Sequence, residues 1–351
     1  MLGKACPLFA LCSPGLGCSC PKDFRILAYA LKPFSTMSQF SRLSDDEILK
    51  KIQSIIPPLT YEQHKGQSGC IGIIGGSEEY TGAPYFAAIS ALKLGADLAH
   101  VFCSRSAAPV IKSYSPELIV HPFLSDDEAS DQMKEWIPRL HAVVIGPGLG
   151  RNPKIFKTVL SIMEELKKQE KPLVIDADGL FMITNNLEAV KEYKNVILTP
   201  NQVEFERLCH AVGCDTNSDI DEKQLTLSVS KLLGGLVIAR KHRHDIITDG
   251  VDVLEVKANG SPRRCGGQGD LLSGAAAVFF HWSLKTSFGQ KSREVSGSHP
   301  GVLGGYAACL LSKLCAESAF GKYGRSTTTT DLINEIHFIF QKHFEKHTQK
   351  L

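Results

Sequence analysis

Along most of this chain, short unbroken runs of aliphatic and β-branched residues alternate with longer stretches whose apolar positions recur every three or four residues. "GCIGIIGG" (69–76), "AHVFC" (99–103), "ELIVHPF" (117–123), "HAVVIGPG" (141–148), "PLVIDADG" (172–179), "NVILTP" (195–200) and "GLVIARK" (235–241) have the length and composition of strands. "PYFAAISALKLGADL" (84–98), "PKIFKTVLSIMEELKKQ" (153–169) and "QVEFERLCHAV" (202–212) have helical spacing. An amphipathic helix, "DDEILKKIQSIIPPL", precedes the first strand and is stopped by Pro57-Pro58. "HDIITDG" and "VDVLEV" read as a hairpin turning at Asp249-Gly250. "DLLSGAAAVFFHW" and "GVLGGYAACLLSKLCAESAFGKYG" predict two further helices.

The strand runs are apolar at consecutive rather than alternate positions, so both faces of each strand need cover. Regular alternation with helices makes the sheet largely parallel. The expected fold is therefore α/β, with a central parallel sheet between helical layers, formed as one domain over residues 46–351. The only long polar interruption is "SFGQKSREVSGSHPG". Ligands of such sheets bind at the carboxyl ends of the strands, and the glycines and acids of this chain fall there.

Composition narrows the classes. The 351 residues are 43% hydrophobic and 22% charged, with a formal net charge of +2. The charges are interspersed and form no basic face, which argues against nucleic acid as a partner. Apolar runs break within about a dozen residues, short of the ~20 that span a bilayer. Of the 11 cysteines, Cys6, Cys12, Cys18 and Cys20 crowd the start of the chain. Cys18-x-Cys20 lacks a second pair at zinc-site distance. Cys209, Cys214, Cys309 and Cys315 read as reduced, mostly buried thiols. Residues 1–45 are basic and almost free of acid, and they contain no apolar stretch of secretory length. They are expected to be a mitochondrial targeting segment or a disordered extension, with Met37 as an alternative start that would give a cytosolic form.

The chemistry concentrates in "RRCGGQGDLLSG" (263–274). Gly266, Gly267 and Gly269 permit backbone conformations closed to other residues and bring bare amides against a ligand. The helix that follows adds free N–H groups and the positive end of its dipole, which suits phosphate. In its first turn Asp270 is expected to be held ionised and ready to accept a proton, with the dipole limiting its basicity. The competing reading is an ordinary glycine turn with an acidic cap.

Other strand ends are less decisive. "GPGLG" (146–150) lacks the spacing of a dinucleotide fingerprint, and it reads instead as a substrate-facing turn with Gly148 placed for close backbone approach. "GGSEEYTGAP" (75–84) could hold a phosphate or only turn the chain. "DADGL" (176–180) could orient a metal or cap a helix. In "TPNQVEFERL" (199–208), Asn201 and Glu204 form a capping-box pair that needs no further role. "KHRHD" (241–245) places Lys241, Arg243, His242, His244 and Asp245 after a strand, as cations for phosphate or as a solvated approach to the hairpin.

Taken in order, "GGSEEYTGAPYFAAISALKLGADL", "SPELIVHP", "VVIGPGLGR", "VIDADGL", "LTPNQVEFERL", "RRCGGQGDLLSG" and "GRSTTTTDLINEI" resemble the ATP-dependent NAD(P)H-hydrate dehydratases, of animal type, within the ribokinase-like superfamily. The resemblance implies a ribokinase-like fold. It implies an ATP-dependent lyase that returns hydrated NADH and NADPH, in the S form, to the intact cofactors and releases ADP and phosphate. Asp270 would be the base acting on the ring hydroxyl. ATP would lie along Lys241, His242, Arg243, His244 and Asp245. It would also run along the loop of Gly260, Ser261, Pro262, Arg263, Arg264, Cys265, Gly266, Gly267, Gln268 and Gly269. The hydrate would meet Gly148, the segment Asn201, Gln202, Val203, Glu204, Phe205, Glu206 and Arg207, and Asp270 itself. Mg²⁺ is expected to accompany ATP, with no position identifying its ligands. A separate NAD(P)H-hydrate epimerase is the expected functional partner, and a homo-oligomer is compatible with the sequence. Alternatives are a hydroxyl kinase of the same superfamily and a nucleotide-binding protein without turnover. One departure from the family pattern is His242, which stands where Lys-Gly-x-x-Asp has glycine.

Overall fold

The computed structural model describes residue 40 and residues 43–214, 220–289 and 299–345. The cysteine-rich beginning of the chain, the proposed targeting segment up to residue 39 and most of the polar loop after residue 289 lie outside the described residues. Helix α1 (Asp45–Ile55) starts on a Ser44–Glu47 capping box and buries Ile48, Ile52 and Ile55 along one side. Then follow β1 (Cys70–Ile74), α2 (Gly82–Leu94), β2 (Leu98–Phe102), α3 (Ala108–Tyr114), β3 (Ile119–His121), α4 (Ala129–Trp136) and β4 (Ala142–Ile145). The chain continues through α5 (Pro153–Lys168), β5 (Leu173–Ile175), α6 (Ala177–Thr184), β6 (Val196–Leu198), α7 (Gln202–Ala211) and α8 (Glu222–Leu232). Strands β7 (Val237–Arg240), β8 (Asp245–Thr248) and β9 (Val253–Val256) precede α9 (Gln268–Gly289), α10 (Pro300–Tyr323) and α11 (Thr329–His343).

The nine strands form one sheet in the order β3-β2-β1-β4-β5-β6-β7-β8-β9. Every pair from β3 across to β7 is parallel, with Ile71 beside Ala142 and Val143 beside Leu173. The expected hairpin forms as β8 and β9, and it joins the sheet edge antiparallel to β7. Alternate strand residues feed two separate cores, which explains the unbroken apolar runs. Ile71, Ile73, Val144, Val174 and Ile197 pack with α1, α2, α9, α10 and α11. Ile74, Val143, Ile145, Ile175 and Leu198 pack with α4 to α8. Each fully buried aliphatic side chain contributes about 1.5–3 kcal/mol, so the two-sided sheet is the main source of stability.

The helices take their places for local reasons. In α5, Asn152 caps the Lys154 amide and Pro153 sits at the first position, where a missing N–H does no harm. Ile155, Val159, Ile162, Met163 and Leu166 then recur on one face and are buried. Helix α9 has no polar stripe in its middle, because it runs between α2 and α10 with Leu271, Ala275, Ala276, Val278 and Phe279 all buried. Among the described residues no helix is long and apolar enough to cross a membrane. Cys209, Cys214, Cys309 and Cys315 are free and buried, as expected.

The sheet reverses direction of growth between β1 and β4, and that crevice is where a doubly wound sheet usually takes its ligand. Here the backbone fills it. A β-carbon on Gly75 would overlap the Pro147 carbonyl, and the Gly76 amide donates to the Gly148 carbonyl at 3.1 Å. Gly146, at φ +123°, lies against the Asp176 carbonyl and the Gly179 amide, so any side chain there collides with the start of α6. Gly146→Ala is therefore expected to destabilise the protein by roughly 3–5 kcal/mol, the range of severe steric and backbone defects. Urea unfolding checks this, and a midpoint like that of the wild type would refute the packing described.

Candidate active site

Three adjacent parallel strands end over one cavity of about 580 Å³. Strand β5 is followed directly by Asp176, β6 by the turn Thr199-Pro200-Asn201, and β7 directly by Lys241. The first turn of α9 closes the fourth side with Gln268, Gly269 and Asp270. Sequence motifs separated by up to a hundred residues thus meet in one place, at the carboxyl edge of the sheet.

The central contact joins Lys241 Nζ to Asp176 Oδ1 at 2.7 Å, with Glu204 Oε2 3.8 Å from the same ammonium. Asp176 is buried, its side chain only 2% exposed. It occupies the cap position of α6 yet makes no capping bond, because its carboxylate faces Lys241 instead. Neither sequence reading of "DADGL" anticipated an ion pair. Its other acid, Asp178, accepts from the Gly150 amide at 3.0 Å and pairs with Arg151. Gly269 covers the Lys241–Asp176 pair closely: a β-carbon there would stand 3.3 Å from Lys241 Nζ.

One ammonium among three carboxylates leaves the site short of positive charge. Burial, and then the neighbouring Asp176 and Glu204 charges, push the Asp270 carboxyl well above the usual aspartate range, with Lys241 only partly opposing them. These effects act on Asp270 in opposition to the helix dipole expected from the sequence. A helix terminus contributes about 0.3–1 kcal/mol at an exposed site, whereas burying a carboxylate shifts its balance by several pKa units. Burial also raises Glu204, against the pull of Lys241. For Lys241 burial works against the charge, but Asp176, Glu204 and Asp270 together outweigh it and hold the ammonium above the ordinary lysine range.

The residues singled out from the sequence are distributed unevenly around this centre. Asn201 and Glu204 form the expected capping box at 2.8 and 3.0 Å, and both also line the cavity, as does Gln202. Val203 and Arg207 point to solvent. Glu206 accepts from Gln202 Nε2, while Phe205 is buried in the core beneath the Arg240 guanidinium. Phe205 is thus placed to support α7 from the core. Gly148 does not line the cavity either. Its close approach, at φ +59°, is to the chain's own Tyr80 carbonyl, which a β-carbon would meet at 2.5 Å.

In the 241–245 loop, Lys241, His242, Arg243 and Asp245 border the cavity, and His244 turns away to Glu255 at 3.3 Å. His242, in the family's glycine place, swings its imidazole to Glu222 at 3.3 Å, so the backbone beside the cavity stays uncovered on that account. The loop is held by Lys313 of α10. Its ammonium donates to the His242 and Arg243 carbonyls at 3.2 and 2.8 Å and lies 3.4 Å from Asp245. Sequence reasoning missed Lys313. The signal available was a single lysine inside the apolar run "CLLSKLC".

In the glycine-rich loop, Gly260, Ser261, Arg264, Cys265, Gly267, Gln268 and Gly269 line the cavity. Pro262 and Arg263 open instead onto a neighbouring hollow of about 300 Å³ shared with Arg264, Phe320 and Arg325. The Gly266 carbonyl accepts from Thr329 Oγ1 at 2.6 Å, so the start of α11 braces the loop from behind. The arrangement offers amides and a cation for phosphate beside a carboxyl poised to hold a proton.

A family model described as NAD(P)H-hydrate dehydratase matches residues 71–337. An ATP-dependent (S)-NAD(P)H-hydrate dehydratase from Ciona intestinalis is 52% identical over 309 residues, 87% of this chain and 83% of that protein. Among solved structures, a ribokinase-like superfamily protein from Enterococcus faecalis superposes with a TM-score of 0.70 at 20% identity, over 89% of this chain and 99% of its own. The ADP/ATP-dependent NAD(P)H-hydrate dehydratase from Bacillus subtilis, co-crystallised with ATP/Mg²⁺, gives 0.60 at 19% identity, over 84% of this chain and 97% of its own. The two structures establish the fold as ribokinase-like. The family match runs from the second residue of β1 through all the cavity-lining segments, and the chain belongs to the NAD(P)H-hydrate dehydratase family.

Proposed function

We propose that this chain is an ATP-dependent (S)-NAD(P)H-hydrate dehydratase, with Asp270 as its base. The observation that carries the assignment of roles is the placement of Asp270 in the first turn of α9, lining one cavity with the glycine-rich loop and the Lys241–Asp176 pair. Family membership supplies the substrate class and the use of ATP.

The chemistry needs what this site offers. Hydroxide is a poor leaving group, water having a pKa of about 15.7. Phosphorylating the ring hydroxyl replaces it with phosphate, whose second pKa is about 6. Asp270 takes the hydroxyl proton as that oxygen attacks the γ-phosphorus and ADP departs. The ring-nitrogen lone pair then expels phosphate, and loss of a ring proton restores the dihydropyridine. A carboxyl pushed up by burial is a stronger base than an exposed aspartate, which suits proton transfer concerted with attack. Positioning and charge neutralisation fall to the loop amides, Lys241 and Arg264.

Mg²⁺ fits as a companion of the nucleotide. Among the described residues no group of three or more His, Cys, Asp or Glu side chains is placed to hold a metal ion. Mg²⁺ commonly takes one or two carboxylates and completes its shell with phosphate and water. Asp176, whose second oxygen faces Gly269, is the ligand this chain offers. When bound, the ion would neutralise phosphate charge. We further propose that residues 1–45 direct the chain to mitochondria and that a separate epimerase supplies the S form of the hydrate. Removing residues 1–36, so that the chain starts at Met37 and α1 keeps its Ser44 cap, should move a fluorescently tagged chain from mitochondria to cytosol, and unchanged imaging would refute the targeting role.

Incubation with ATP and hydrated NADH should restore the reduced-nicotinamide absorbance with matching ADP and free phosphate. A stable phosphorylated product would favour the kinase reading instead. Asp270→Asn should lower turnover by about 10²–10⁴-fold, the usual contribution of a positioned base, and leave ATP affinity within a few-fold. It should also raise the melting temperature of the ligand-free protein, since it removes a buried charge. Turnover near wild type would end the assignment of Asp270.

The pH dependence has a definite sign. The raised pKa means activity is lost as pH falls through a value above the ordinary aspartate range, and the acidic limb of kcat/KM reports it. Lys241→Met removes the charge that holds Asp270 down, so it should move that limb further up. It should also destabilise the fold by about 3 kcal/mol, the lower end for removing one partner of a buried pair. Raised carboxyls stabilise the folded state only while protonated, so the deficit should shrink from pH 8 to pH 5. A pH-independent deficit would contradict the electrostatics described.

A further inference from the structure

A second cavity of about 890 Å³ lies at the opposite, amino-terminal edge of the sheet. Cys70 and Leu98 begin β1 and β2 there, and His141 immediately precedes β4. A strand of five residues separates the two edges by roughly 15 Å, so this cavity shares no lining residue with the candidate active site.

Its walls are aromatic and polar. His141 and His281 stack with ring centres 4.7 Å apart and planes 7° from parallel. His100 joins His121 through a 2.9 Å ring-nitrogen contact, and Trp136 packs on both rings. His141 Nδ1 accepts from the Cys70 amide at 3.0 Å, which places its proton on Nε2 when the ring is neutral. His281 Nε2 is buried and has no hydrogen-bond partner among the described residues. Burial holds all four imidazoles below the ordinary histidine range, His121 at about 4 and His281 at about 3. The three histidines that line the cavity, His100, His141 and His281, are therefore uncharged at neutral pH.

The charge comes from the exposed Lys65, Arg139 and Lys285. Arg139 lies over the Trp136 ring at 5.0 Å, and Lys285 donates to the Gln67 carbonyl at 2.9 Å. None of the three forms an ion pair among the described residues. The nearby carboxylate, Asp97, is engaged by the Gly66 and Ser68 amides at 2.7 and 2.9 Å. Lys171 stands close by as well, donating to the Leu140 carbonyl. Flat, uncharged π surfaces select a planar ring, and unpaired cations at the rim select an anion attached to it.

We infer that this cavity is a second binding site, for a planar heteroaromatic molecule bearing a phosphate, of the size and charge of a nucleoside monophosphate. The ring would enter between Trp136 and the His141–His281 stack, and the phosphate would meet Arg139 and Lys285. The His141 Nε2–H, on a ring that lines the cavity, supplies a polar contact to the ring edge. The inference rests on this cavity alone and is independent of the reaction proposed above.

The chain has two tryptophans, Trp136 in this cavity and Trp282, which is buried with its Nε1 bonded to the Ser68 carbonyl. Titrating AMP into the full-length protein should change Trp136 fluorescence saturably, with a Kd tighter than about 1 mM. Adenosine and inorganic phosphate, each carrying half of the recognition, should bind at least tenfold more weakly. Arg139→Ala/Lys285→Ala should weaken AMP at least tenfold while ATP-dependent turnover stays within twofold. Trp136→Phe should remove the optical signal, and calorimetry should still detect AMP. No saturable response to AMP, an equal response to phosphate alone, or undiminished affinity in the double variant would each overturn the inference.

Discussion

The contact on which this architecture turns is the Lys241 ammonium held among Asp176, Glu204 and Asp270. Taking one ion out of water costs several kcal/mol even after relaxation. Only a short, directed partner offsets that, and Asp176 provides it at 2.7 Å. The partners come from chain segments that only the sheet brings together. Asp176 and Glu204 follow β5 and β6, Lys241 follows β7, and Asp270 arrives on α9 from across the structure. Register among three parallel strands is thereby converted into position for four charged groups. Lys313 repeats the device on the far side of the loop, tying the His242 and Arg243 carbonyls to α10.

The cluster is not neutral, and that imbalance is its chemical content. Asp176 takes most of the Lys241 charge by proximity, which leaves Asp270 with burial and two like charges against it. A structure selected for stability alone would replace such a group. Keeping it makes the folded state less stable at neutral pH and gives a carboxyl with a higher proton affinity than an exposed aspartate. The same three carboxylates would repel an incoming polyphosphate. The loop amides, Lys241 and Arg264 are the groups at the cavity that oppose that repulsion, and Thr329 braces the glycine-rich loop from behind.

How much of this was legible varies with the range of the interaction. Strands and helices followed from periodicity because burial on both faces imposes unbroken apolar runs, and the Asn201–Glu204 capping box is a local geometry three residues long. The hairpin was readable from Asp249-Gly250, although its antiparallel addition to the β7 edge was not. Pairings between distant segments left no local mark. Nothing near Asp176 indicates that Lys241, 65 residues on, will engage it, and nothing near Lys313 indicates two carbonyls of another loop. The forces that raise the Asp270 carboxyl were hidden for a related reason. The helix dipole can be read from sequence, whereas burial and neighbouring acids are tertiary facts.

Glycine shows most clearly where pattern and structure part. After a strand, glycine can mean that a ligand approaches the backbone or that the chain's own backbone does, and the residue type is the same in both cases. At the reversal between β1 and β4 the chain's own backbone makes the approach. Gly75, Gly76, Gly146 and Gly148 all press against carbonyls or side chains of neighbouring turns, and the crevice a doubly wound sheet would open there is closed by main chain. Over β5 to β7 the case differs. Gly269 borders a cavity, and the nearest atoms to an added β-carbon are the polar ends of Lys241 and Asp176. Closing the first place makes the second possible, since the Gly146 contact fixes where α6 begins and so where the Asp176 carboxylate stands. The "GPGLG" turn therefore acts on the candidate chemistry through Asp176, by setting its position.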